Sequence, residues 1–391
     1  MADDLDDAIL PADQQEDFDD LNLGADWSIG PTLWSTDWTT ETVVSQLRRG
    51  NINLSPRFQR RNAWDNVRKS LFIESLILGL PIPQIILAEE KHKKGSFIVI
   101  DGKQRLLTLR QFLSDGNDAD FRQLKLTGLN DRAELNGITY SDLKSNPKLQ
   151  EELNNFENQT VRTVVIRGWK SEKYLYSVFL RINTGSVQLS PQELRQALHP
   201  GPFSDFIDDF STESTPLKNA MKLKEPDFRM RDVELVLRFF TYRNFIQEYS
   251  GDLKKFLDEA TEYFNASWEK EKDKLKLQSI DLDKSLIATR EIFGERGELR
   301  KWNGSMYEKR INRAVFDIMT FYFSESSIRE AATKKGAEIK AAFQKLCEDD
   351  REFISAIEST TKSKEANANR FRIWAATLSK ILNLPIESPV R

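Results

Sequence analysis

The chain has 391 residues, with 57 Lys and Arg against 61 Asp and Glu, two histidines and one cysteine. Such a length suggests two or three domains with ample core, and 39% hydrophobic with 30% charged residues reads as a helix-rich globular chain. No apolar run reaches the roughly 18–20 residues of a membrane-spanning helix, and His92 and His199 are too few for the histidine clusters of HNH nucleases, zinc peptidases or His-Asp phosphohydrolases.

The single Cys347 makes no internal disulfide, and the acidic start MADDLDDAIL is unlike a secretory signal or a basic transit peptide. Together these point to a cytoplasmic protein with no membrane partner. The net charge of −4 averages unlike parts. Residues 1–47 hold twelve acids and no bases; residues 48–200 hold 24 bases and 16 acids; residues 201–391 hold 33 of each. The acidic, apolar-poor start cannot cover its ordering entropy, so residues 1–25 read as a disordered tail. It serves either as a solubilising tail or as a cover for a basic site on its own chain. Trp27, Trp34 and Trp38 follow, either stapling this arm to the body or forming a docking surface.

Next comes a short helix, TVVSQLRRG, closed by Gly50, and NINL as a strand. Arg48, Arg49, Arg57, Arg60 and Arg61 fall within fourteen residues that hold no acid. They form either a solvated basic face or a nucleic-acid-binding edge. SPRFQRRNAWD reads as a loop, and KSLFIESLILGL as a buried helix that stops at Gly79 and Pro81. PIPQIILAEE and SFIVI form a hairpin around the charged turn EKHKKG. KQRLLTLRQFLSDG is a helix, QLKLTGL and TVRTVVIRGW are strands, and YLYSVFLRIN and SPQELRQALH are helices. Ser190 and Glu193 have capping-box spacing. An RNase-like pairing of Arg195 with His199 is a weak alternative use of that segment. Past residue 200 helical periodicity dominates, and Arg229, Arg231 and Arg238 read as structural partners of Asp232 and Glu234 rather than as catalysts.

SFIVIDGKQRLLTL carries the most chemistry. A strand ends at Asp101, Gly102 turns, and Lys103, Gln104 and Arg105 open a helix, which gathers backbone N–H groups and cations at one point and suits an anion. Arg105 and Lys103 supply charge-assisted donors, Gly102 permits close backbone approach, and Asp101 is a candidate metal ligand beside a phosphate. It is not a P-loop, because no G-x-x-x-x-G-K-[ST] occurs.

The order LSPRFQRRNAWD, SLFIESLILGLPIPQIIL, VIDGKQRLLTL and FLRINTGSVQLSPQELRQAL resembles the GmrSD-type restriction endonuclease N-terminal domain family, whose domain resembles the ParB/sulfiredoxin fold. The family's D-G-Q-Q-R corresponds to Asp101, Gly102, Lys103, Gln104 and Arg105; Y-Q-R to Phe58, Gln59 and Arg60; I-E-S to Ile73, Glu74 and Ser75; and R-I-N-x-G to Arg181, Ile182, Asn183 and Gly185. The resemblance implies an α+β fold class: a ParB/sulfiredoxin-like domain over residues 26–200, which the helical pattern extends with an all-helical domain over residues 201–391. It also implies an NTP as ligand, with Mg²⁺ if hydrolysis occurs. Asp101, Arg105 and Glu74 are then the catalytic candidates, while Gly102, Lys103, Gln104, Gln59, Arg60 and Asn183 line the pocket. Lys103 in place of the usual glutamine adds a cation that can alter which triphosphate is held.

Three functions follow from this reading. The first is an NTP-binding or NTP-hydrolysing sensor of a defence system that recognises DNA through Arg48, Arg49, Arg57 and Arg61. The second is a metal-dependent nuclease built on Asp101, Glu74 and Asp65. The third is a non-catalytic DNA adaptor that recruits a separate effector protein. The long charged helices of the second half also suit self-association.

Overall fold

The structure is a computed structural model, and it describes residues 32–52, 54, 64–115, 121–169, 174, 175, 178, 190–358 and 363–390. The acidic tail and Trp27 lie outside these residues, as does most of YLYSVFLRIN. The fold mixes a small four-stranded sheet with many helices, and its chain divides into two compact units between Leu198 and His199.

In the first unit, β1 (Thr32–Thr39) leads directly into α1 (Thr40–Arg48), with the Thr39 hydroxyl accepting the Thr42 N–H as N-cap. Gly50 closes the helix with φ +69°. α2 (Asn66–Ile77) begins at Asp65, whose carboxylate accepts the Arg68 N–H, and ends before Gly79 at φ +69°. β2 (Ile85–Glu89) and β3 (Phe97–Asp101) form the expected hairpin, then α3 (Lys103–Phe112) follows one residue later. α4 (Tyr140–Ser145) and α5 (Gln150–Asn158) precede β4 (Thr160–Arg167), and α6 (Pro191–Leu198) closes the unit.

The sheet order is β1-β4-β2-β3, with β1 and β4 antiparallel, β4 and β2 parallel, and β2 and β3 antiparallel. Burying the apolar faces of α1, α2 and α3 against it produces a core that includes Val43, Leu47, Ile73, Leu76, Leu87, Val99, Leu106 and Phe112. At about 25 cal/mol per Å² of apolar area, this burial is what holds the sheet and helices together.

Three elements differ from the sequence reading. Of NINL, whose Asn53 lies outside the described residues, Ile52 makes one isolated parallel bridge to Phe97 where a strand was expected. QLKLTGL is not a strand. Its backbone is satisfied piecemeal, by Leu124 N–H to the Gln111 carbonyl at 3.0 Å and by Thr127 N–H to Ser70 Oγ at 2.9 Å, while Leu124, Leu126 and Leu129 are buried. The third is β1, read from its tryptophans only as an arm. TLWSTDWT pairs along its whole length with β4, from Thr32 opposite Arg167 to Thr39 opposite Thr160. Of its tryptophans, Trp38 packs edge-on against Phe97 at 5.8 Å, whereas Trp34 is half exposed.

The second unit is built from α7 (Pro202–Glu213), α8 (Thr215–Met221), α9 (Arg231–Phe245), α10 (Leu253–Ala266), α11 (Trp268–Phe293), α12 (Arg313–Phe323), α13 (Ser326–Lys334), α14 (Gly336–Asp349), α15 (Arg351–Glu358) and α16 (Lys364–Leu382). Within it Trp302 and Tyr307 form an isolated antiparallel bridge. Phe203, Phe240, Phe264, Phe343 and Trp374 sit in its core. Buried charge runs through the same core. Arg238 grips Asp317 through two nitrogens (Nε at 2.9 Å, Nη2 at 2.5 Å), Arg370 reaches Asp317 at 3.2 Å, and Arg313 holds Glu234 at 3.0 and 3.2 Å. Arg231 is bidentate with Asp227. Of the expected pairings, Arg238 Nη1 lies 3.9 Å from Glu234, while its closer partner is Asp317 on another helix. No helix among the described residues is long and apolar enough to cross a membrane.

Candidate functional site

The turn after β3 has the backbone its sequence demands. Gly102 takes φ +95°, a left-handed conformation that side-chain-bearing residues rarely adopt, and it serves as N-cap of α3 without offering any side-chain cap. The first-turn N–H groups of α3, at Lys103, Gln104 and Arg105, therefore gather at a helix N-terminus that no side chain caps, and the helix dipole adds a partial positive charge there. The place a Cβ at Gly102 would take is already crowded, 3.2 Å from Ile85 Cγ1 and 3.3 Å from Arg105 Nη2. Arg105 thus folds its guanidinium back over the glycine.

That guanidinium is buried and anchored twice. Arg105 Nη2 donates to Asp101 Oδ2 at 2.9 Å and to the Gln84 carbonyl at 3.0 Å. Its Nε is buried without a hydrogen-bond partner, as is Gln104 Oε1. A buried unsatisfied donor costs about 1–3 kcal/mol, so the turn keeps an unused, cation-borne N–H beside Asp101.

Lys103 is also buried, and its Nζ donates to Glu193 Oε1 at 2.5 Å. Glu193 does two jobs. Its Oε2 accepts the Ser190 N–H at 2.8 Å while Ser190 Oγ accepts the Glu193 N–H at 3.1 Å, so the expected capping box exists. The same carboxylate carries the lysine. Sequence reasoning found the box from its spacing but had no signal for a bond that spans 90 residues.

Glu74 is buried on α2, where its Oε1 accepts the Arg132 N–H at 3.0 Å and ties α2 to the segment before α4. This bond gives the carboxylate a structural partner of its own. Gln59, Arg60 and Asn183 lie outside the described residues, as do Arg57 and Arg61 of the basic edge. Arg48 and Arg49 are exposed at the end of α1. Arg195 Nη1 donates to Gln192 Oε1 at 2.6 Å, and His199 Nδ1 lies 3.3 Å from Glu262.

Among the described residues, no three His, Cys, Asp or Glu side chains gather to hold a metal by themselves. A magnesium ion held through phosphate oxygens needs only one or two protein carboxylates, and Asp101 offers one at this turn, with its side chain 17% exposed.

No curated protein and no solved structure matches the chain. A protein-family model does: residues 41–200 match the GmrSD restriction endonuclease, N-terminal domain, a span that contains the DGKQR turn, Glu74 and the Glu193 capping box. That segment of the chain belongs to the GmrSD-type N-terminal domain family.

Proposed function

We propose that this protein is a nucleotide-binding, NTP-hydrolysing sensor of a restriction or defence system, that it recognises DNA, and that its N-terminal unit has the ParB/sulfiredoxin-like arrangement. The observation that carries the reading is the turn itself: a left-handed Gly102 heading α3, with the buried Arg105 guanidinium folded over it and one donor unused. The family match supports a restriction-related role for the same segment.

In this reading the α3 N-terminus and Arg105 hold the phosphates, and Arg105 steadies the negative charge that develops as the terminal phosphoryl group passes to water. Lys103 reaches the same oxygens by exchanging or sharing Glu193. Asp101 orients Arg105, and its carboxylate would help hold a Mg²⁺ ion, which would supply charge stabilisation to the phosphates. Gln104, Gln59, Arg60 and Asn183 complete the pocket, and Glu74 braces it. Arg48 and Arg49, with Arg57 and Arg61, meet DNA phosphates.

Phosphate release from each NTP, measured with and without Mg²⁺ and duplex DNA, tests this function. The account expects turnover of at least one NTP, reduced on the order of 100-fold by Arg105→Ala, the scale of losing one charge-stabilising donor. Turnover unchanged in Arg105→Ala removes the turn from catalysis. DNA binding with no turnover of any NTP supports the adaptor reading instead.

A further inference from the structure

The sheet topology brings a second group of cations together at the end opposite the DGKQR turn. β2 and β4 run parallel, so their C-terminal ends coincide, and the β2–β3 turn lies at that same end. There the turn carries Lys91, His92, Lys93 and Lys94, all exposed. Its two acids, Glu89 and Glu90, are only partly exposed, and Glu89 is engaged: its Oε1 accepts the Gly95 N–H at 3.1 Å and its Oε2 lies 3.6 Å from Arg167 Nε.

Arg167, the last residue of β4, joins this turn from the neighbouring strand. Its guanidinium lies 4.8 Å from the ring centre of the half-exposed Trp34. Lys91 Nζ lies 4.5 Å from the Trp169 ring, whose Nε1 donates to the Glu89 carbonyl at 2.7 Å. The rings and carboxylate fix the direction of these cations without burying them, which lowers the entropy lost when they bind. The end of α1 arrives at the same place, because Phe97 N–H donates to the Asn51 carbonyl at 2.7 Å and Phe97 bridges Ile52. Arg48 and Arg49 stand three and two residues before Asn51, both exposed.

We infer that this hairpin end of the sheet is a phosphate-backbone docking surface for duplex DNA, with Lys91, Lys93, Lys94 and Arg167 extending the Arg48–Arg49 edge. The inference rests on the DNA-recognition part of the proposed function and adds residues that the sequence reading took only for a charged hairpin turn. The fully exposed charge of these residues is positive and spread over two turns, which suits a polyanion rather than a single small anion. β3 separates this surface from Asp101 by four residue steps, roughly 13 Å at 3.3 Å per residue.

The test is fluorescence anisotropy of a short labelled duplex DNA against the full chain, from about 50 to 200 mM salt. The variant carries Lys91→Ala, Lys93→Ala and Lys94→Ala, all on an exposed turn. A control carries Lys270→Ala, Lys274→Ala and Lys276→Ala on α11, which removes the same charge from exposed positions of the other unit. Each lost phosphate contact lowers the slope of log affinity against log salt by about 0.9. The surface predicts a slope lower by about 2–3, affinity down on the order of tenfold at the low-salt end, and no change in the control. DNA binding that the turn variant retains with an unchanged slope, or loses no more than the control, overturns the surface and leaves the proposed function standing. Wild-type protein that binds no DNA at low salt overturns the DNA reading itself. Binding of duplex RNA but not DNA overturns the assignment to DNA.

Discussion

Lys103 and Glu193 are joined by a buried 2.5 Å bond between Nζ and Oε1, which ties the turn after β3 to the capping box of α6 across 90 residues. Removing one partner of a buried pair leaves the other charge uncompensated, at a cost of about 3–5 kcal/mol. Urea unfolding of Glu193→Ala is expected to show a loss in that range, with about 1 kcal/mol more for the lost cap. Glu193→Gln keeps a hydrogen-bonding side chain and loses less. The double variant Lys103→Gln/Glu193→Gln is expected to recover much of the loss of Glu193→Gln, because both charges are gone. Additive losses would show that the pair is not coupled.

Lys69 gives a pH dependence whose sign follows from its burial. Desolvation lowers its pKa from 10.5 to about 8, against the opposing pull of Asp65. Below pH 8 the folded protein carries a buried ammonium that the unfolded chain solvates, so the group opposes folding there. From about 8 to 10.5 the unfolded chain binds the extra proton, and stability from this group rises with pH. Lys69→Met is expected to raise Tm at pH 7, by about 2–4 °C for each kcal/mol relieved, and to lose most of that gain by pH 10. An equal gain at both pH values would contradict the burial effect.

The ionic core of the helical unit predicts a larger loss. Asp317 faces Arg238 and Arg370 and is itself fully buried. Asp317→Ala leaves two guanidinium groups facing each other in a low-dielectric interior and is expected to cost about 3–5 kcal/mol. A shift below 1 kcal/mol in calorimetry or urea unfolding would mean that solvent reaches these arginines.

Cys347 is buried, and its burial pushes the thiol up to about 11. The thiolate is the reactive form, so native protein at pH 8 is expected to resist a thiol reagent that labels one cysteine per chain after denaturation. Rapid labelling of the native protein would contradict the burial.

The hairpin, the buried α2 and the strand-to-helix turn at Gly102 were legible in the sequence because short-range rules set them. Alternating or continuous apolar runs, glycines at the two helix ends and a capping box each act within a few residues. β1 was not legible. Leu33 and Trp34 are exposed, so TLWSTDWT shows no clean burial alternation, and only its pairing with β4 reveals it as a strand. QLKLTGL misled for the converse reason: its leucines are buried, but its backbone is satisfied by the end of α3, the Ser70 hydroxyl and a two-bond exchange of Leu126 with Gly137 and Ile138 rather than by a continuous ladder. For the candidate site, the sequence pointed to Asp101, Gly102, Lys103 and Arg105 as one turn, and the structure places them at the end of β3 and the start of α3. The sequence reading missed that Arg105 folds over Gly102 and that Glu193 holds Lys103, because contacts between segments distant in the chain leave no local pattern.

The most direct measurement of the nucleotide turn is equilibrium binding of each NTP to the full chain by calorimetry, in wild type and in Arg105→Ala. Reading binding separately from turnover isolates the turn from any later step. The account predicts that wild type binds at least one NTP and that Arg105→Ala weakens it at least roughly tenfold, the loss of one charge-assisted contact worth about 1.5–3 kcal/mol. Wild-type protein that binds no NTP with Mg²⁺ present, or Arg105→Ala that binds as tightly as wild type, would contradict it.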